Sequence, residues 1–145
     1  MKGKKYEGFS LIEILVVVAL IIILATITIV AINPAKNFRD TRNAQRSADI
    51  MQILNAVTQY TSEEGHTLSD LGTIENCTIG STAVSAVTNL ETILVDDFIV
   101  EIPVDPRDGD AGFVYSICQT DNGRVEVSAL KEIDATNTEA ITVKR

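Results

Sequence analysis

The stretch Gly8-Phe9-Ser10-Leu11-Ile12-Glu13 opens an apolar run that continues without a charged residue from Ile14 to Ile32. A helix rises about 1.5 Å per residue, so the run covers roughly 28 Å, close to the roughly 30 Å of a bilayer's hydrocarbon core. Thr26 and Thr28 are its only polar residues. A helical threonine returns its hydroxyl to a carbonyl one turn earlier, so neither argues against a span. Glu13 is the discordant residue. A lone carboxylate in such a block costs about 2.5–3.5 kcal/mol near the bilayer centre and less near an end, and it seeks a cation. Its presence points to a role other than insertion. A secretory signal peptide has a shorter apolar core followed by a small-x-small cleavage site. Here the run is longer, and the Gly8-Phe9 junction precedes it. A plain signal anchor with an incidental glutamate is the alternative, and it gives neither feature a use.

Gly-Phe-Ser-Leu-Ile-Glu followed by an unbroken apolar helix resembles the N-terminus of type IV prepilins and pseudopilins. The resemblance implies a short leader, residues 1–8, cut between Gly8 and Phe9 by a membrane-embedded prepilin peptidase, after which Phe9 is N-methylated. It implies that Glu13 pairs with the N-terminal amine of a neighbouring subunit. The implied partners are identical or homologous pilin subunits in a helical filament, an assembly platform with a separate ATPase, and the inner membrane before assembly. The implied product is an extracellular or periplasmic filament, either a type IV pilus or, alternatively, a type II secretion pseudopilus for protein export. Lys2, Lys4 and Lys5 precede the run, and Lys36, Arg39, Arg42 and Arg46 follow it. The charge bias is therefore nearly balanced, and it is the resemblance that places the leader in the cytoplasm.

The chain has 145 residues and a formal net charge of -8. Loss of the lysine-rich leader leaves an acidic body, a poor partner for nucleic acid or anionic lipid. Beyond the apolar run there is room for one modest domain. There is a single histidine and no tryptophan. There is no nucleophile elbow, phosphate-binding glycine loop, set of metal-spaced histidines or Cys-x-x-Cys, so an enzyme is not expected. His66 reads as structural or solvated. Cys77 and Cys118 fall in the exported part, where an even count suggests one disulfide, worth about 4 kcal/mol in the chain-entropy model; two reduced thiols are the alternative. No cofactor is expected. Some pseudopilins bind calcium in an acidic loop, and Asp105, Asp108 and Asp110, with Asp96 or Asp97 as a further candidate, are the residues here that this resemblance brings forward, against a solvated Asp-Gly turn. Asn76-Cys77-Thr78 matches a glycosylation acceptor, weakly.

The expected fold is α+β: a long N-terminal helix on a small antiparallel sheet. Residues 1–8 form the leader, 9–33 the transmembrane and filament-core helix, 34–65 its amphipathic half, and 66–145 the globular head. Asn33-Pro34 predicts a kink or break at the membrane exit, because proline removes a donor and disfavours helix before it. From Ala35 to Glu64, Ala44, Ala48, Met51, Leu54 (or Asn55) and Thr58 recur at helical steps beside Ile50, Ile53, Val57 and Tyr60. Arg42, Arg46, Asp49, Gln52 and Gln59 take the opposite face, with Asp49 three residues from Arg46 as a surface pair. The basic residues after Pro34 read as a solvated or headgroup-facing rim. Gly65 marks the C-cap. Residues 66–81 carry no clear period. A short helix is expected through Val95, capped by Asn89 or Thr88. Ile102-Pro103-Val104-Asp105-Pro106 is a fixed loop that also resembles major pseudopilins. A hairpin follows, Gly112–Gln119 and Arg124–Leu130, turning at Asp121-Asn122-Gly123. A further strand is expected at Glu139–Val143 after a turn at Thr136-Asn137-Thr138.

Overall fold

The computed structural model describes residues 8–110, 112–134 and 138–145. The leader lysines, and Thr136-Asn137 of the expected turn, lie outside the described residues. The chain divides between Asn37 and Phe38 into two compact units.

In the first unit, helix α1 spans Leu11–Ile32. Branched and straight aliphatic side chains fill it, and none of its residues is buried. Thr26 Oγ1 donates to Ile22 O and Thr28 Oγ1 to Leu24 O, each at 2.8 Å, so the two hydroxyls are satisfied within the helix. The expected break falls at Asn33, which takes left-handed dihedrals of φ 46° and ψ 74°. Asparagine tolerates that region better than other side chains. Its Oδ1 accepts from Lys36 N at 3.3 Å, while Asn37 Nδ2 donates back to Ile32 O at 3.2 Å. Pro34 then occupies the first position of helix α2, Pro34–Ser62, where a missing donor costs nothing.

The second unit holds the core. Ile50, Ile53, Val57 and Tyr60 of α2 pack with Ile117, Val127 and Ala129 of the sheet. The sheet is an antiparallel meander in the order β1-β2-β3-β4: β1 Thr82–Ala83, β2 Ser116–Gln119, β3 Val125–Glu132 and β4 Thr138–Lys144. Val125, Val127 and Ala129 are buried, as the period-two pattern predicts, and Ile117 faces Val127 across the ladder. Gly123 closes the β2–β3 turn at φ 76°, a conformation open to glycine without strain. Helix α3, Leu90–Leu94, adds Leu90 and Leu94 to the core.

Several elements differ from expectation. β2 is shorter than Gly112–Gln119, because its outer neighbour is only two residues long; beyond it, Tyr115 O accepts from Val84 N. Residues 66–81 are not featureless. A 3-10 turn at Leu68–Leu71 is closed by Thr67 N and Oγ1, both donating to Asp70 Oδ2, and buries Leu71. Asn89 precedes α3 but does not cap it with its side chain; its Nδ2 donates to Asp70 O instead.

The largest correction concerns the front of α2. Ala44, Ala48 and Met51 are exposed, whereas Asn43 and Arg46 are buried. Counting back from Tyr60, Val57, Ile53 and Ile50 in alternating steps of three and four lands on Arg46 and Asn43. The buried stripe simply continues through polar residues. Arg46 is 0% exposed, and it does not form the expected surface pair with Asp49, which instead accepts from Tyr115 Oη at 2.6 Å.

Candidate functional site

Two sites are distinct: the N-terminal stretch in the first unit and a buried ionic cluster in the second. At the first, Ser10 is extended, with φ -72° and ψ 141°, and starts α1. Its carbonyl accepts from Glu13 N at 3.1 Å and Ile14 N at 3.3 Å. Phe9 stands outside the helix and is 79% exposed. Glu13 therefore lies in the first turn, where the helix dipole favours a negative charge. No basic residue follows it before Lys36, and among the described residues it makes no ion pair. The stretch thus presents a carboxylate with no ion-pair partner among the described residues, at the head of an entirely exposed apolar helix. That helix, Leu11–Ile32, is long and apolar enough to cross a membrane, with a mean hydropathy of 3.3.

The second site was not legible as a site. Arg46 donates through Nε and Nη2 to both oxygens of Asp105, at 2.7 and 2.9 Å, and through Nη1 to Glu132 Oε1 at 2.7 Å. Arg42 forks onto the same Glu132 through Nε at 2.9 Å and through Nη2. Asn43 Nδ2 donates to Glu132 O at 2.7 Å, and Glu132 N donates to Asn43 Oδ1 at 2.9 Å. Arg107 adds a looser contact to Glu132, 3.4 Å, and its guanidinium lies 4.2 Å from the Phe113 ring centre, with Arg46 at 4.9 Å. The hydrogen bonds from Arg42, with those from Arg46, outweigh burial and hold the Glu132 carboxyl at about 2. Burial and the carboxylate Asp49 beside it push the Tyr115 phenol up. Among the described residues no buried side-chain polar atom lacks a partner. The cluster ties α2, the Pro103–Pro106 loop and the end of β3 together. Fully satisfied, with Arg46, Asp105 and Glu132 buried and Arg42 and Arg107 half-buried at its edge, it is a structural device.

Cys77 and Cys118 are joined in a disulfide, Cα atoms 5.0 Å apart. With Cys77 N donating to Gln119 O and Gln119 N to Glu75 O, it staples the 75–80 loop over the open edge of β2. Asp105, Asp108 and Asp110 do not converge. Asp105 is committed to Arg46, Asp110 accepts from Arg107 Nε at 2.8 Å, and Asp108 is exposed. Asn76 Oδ1 closes its own turn onto Thr78, and its Nδ2 donates to Asp121. His66 packs on the Tyr60 ring, centroids 4.4 Å apart.

No curated protein and no solved structure matches this chain. A family model described as the prokaryotic N-terminal methylation motif matches residues 3–29. That match spans the Gly8-Phe9 junction, Glu13 and most of α1, and through it the chain carries the prepilin signature of the type IV pilins and pseudopilins.

Proposed function

We propose that this chain is a structural subunit of a type IV pilus or a pilus-like filament, polymerised through α1. The observation that carries the reading is the isolated Glu13 at the head of an exposed apolar helix, inside the matched motif. In this reading prepilin peptidase cuts between Gly8 and Phe9, and the new, methylated terminus carries a positive amine a turn away from Glu13. In an apolar surrounding, attraction between that amine and the Glu13 of a neighbour is strong, and either charge left alone is costly. The pair therefore sets axial register. The apolar faces of α1 leave lipid and cover one another as the filament core, with the sheet domains outside. An assembly ATPase on a separate chain supplies the energy. An export pseudopilus uses the same chemistry and differs in ending within the periplasm.

The test is the intact mass and N-terminal sequence of the chain from membranes and from sheared cell-surface material. A chain beginning at methylated Phe9 in the sheared fraction is the expected outcome for a pilus; the same chain confined to membranes means a pseudopilin or a minor subunit. An uncut chain in cells with active peptidase would overturn the reading. Glu13→Gln should be cut normally yet yield roughly tenfold less filament or worse, as expected when a buried ion pair loses one member.

A further inference from the structure

The second unit has a cleft of about 510 Å³ between α3 and the Pro103–Pro106 loop, within the roughly 300–1,000 Å³ range of occupied pockets. Its walls include Val87, Val104, Phe113 and Val114, with Val104 62% exposed and Val114 42% exposed. Its rim carries Glu91, Glu101 and Asp108, all exposed. Among the described residues none of the three has an ion-pair partner. Ser85, Thr88 and Thr92 line it as well, so the cleft has a mixed wall with an apolar part and a negative mouth, on a chain whose acidic residues already outnumber its basic ones, 20 to 12.

The chain also carries the complementary shape. Phe38, on the early part of α2, is 66% exposed. Lys36 lies two residues before it and Arg39 one residue after it, and among the described residues neither is ion-paired. An exposed aromatic ring flanked by cations fits the apolar part of a cleft rimmed by carboxylates, and an anchor of this kind is what carries an interface.

We infer that the Phe38 of one subunit seats in this cleft of the next, with Lys36 and Arg39 meeting Glu91, Glu101 and Asp108. The two surfaces are different patches of one chain, so the contact is head-to-tail. Repeated, it propagates an open helical array rather than closing a dimer. It rests on the polymerisation proposed above and adds a second contact, outside α1, by which neighbouring heads recognise one another despite their shared negative charge.

The experiment uses the full chain in assembling cells with Phe38 intact, carrying Asp40→Cys and Val104→Cys together or singly, with mild oxidation and non-reducing gels. Both positions are exposed, so neither change threatens the core. The expected result is a ladder of dimers, trimers and longer products that needs both cysteines. A second measurement, on Phe38→Ala, should give about tenfold less filament with normal amounts of folded subunit in the membrane. Filaments without a ladder, or a product that stops at the dimer, overturn this contact and leave polymerisation standing. No ladder and no filaments overturn both.

Discussion

Arg46 is the residue at which helix patterning and residue chemistry part. An arginine among alanines and glutamines reads as solvated, yet it sits at 0% exposure with both flanks occupied by carboxylates. Removing one partner from such a group strands the others: Arg46→Ala should cost about 3–5 kcal/mol, measured by urea denaturation of the full chain in detergent. That is a large share of a small domain's stability. Glu132 makes the same network acid-sensitive. Its carboxyl is held at about 2 rather than at the ordinary 4.5, chiefly by Arg42. A carboxyl lowered on folding stabilises above its unfolded value and loses that contribution as pH falls towards the folded one. The expected loss between about pH 4.5 and pH 2 is about 3 kcal/mol. Glu132→Gln should be less stable at neutral pH and should show a flatter acid limb. Equal acid limbs for the two proteins would remove Glu132 from the explanation. The heptad spacing back from Tyr60 was the one signal in the sequence that could have found Arg46; nothing local pairs it with Asp105 or Glu132, which lie 59 and 86 residues away.

At the level of elements, the break at Asn33-Pro34, α3 and the β3 alternation were legible, because each depends on neighbours in the chain. Asn33-Pro34 breaks α1 from α2 through backbone chemistry alone. The short β2 and the two-residue β1 were not legible, since a strand's length depends on which distant segment pairs with it. The outer side of β2 is covered instead by the 75–80 loop, held by Cys77–Cys118. Replacing both cysteines by serine should lower stability by about 4 kcal/mol on loop entropy, seen as a drop in melting temperature that reducing agent reproduces in the parent chain but not in the variant. Gly72 is a second local constraint. At φ +125° its Cβ would lie 3.1 Å from Thr88 N, a backbone atom with little room to yield. Gly72→Ala should cost about 1–3 kcal/mol, read as a lowered urea midpoint.

For the whole molecule, charge is the controlling quantity. A net charge of -8 and a pI near 4.5 favour repulsion between copies of the chain at neutral pH. Light scattering from purified protein should therefore rise as pH falls towards 4.5 and at high salt near neutrality, as repulsion is lost or screened. A scattering minimum near 4.5 would show that something other than net charge keeps the particles apart.

What the sequence determined by itself is whatever acts through adjacent residues: the matched N-terminal motif, Glu13 at the start of an apolar run, the length of α1, the break at Asn33-Pro34 and the period-two strand Val125–Glu132. Apolar run length, strand period, the proline break and turn chemistry are short-range, so a linear reading reaches them. Only the tertiary structure decided that the front of α2 packs by a charge network, that Asp105 serves Arg46 rather than standing in an open acidic loop, and that a cleft forms between α3 and the proline loop. Those features join segments far apart in the chain. Burial raises the worth of each ion pair and the cost of each orphaned charge, and only the folded chain sets which partners meet.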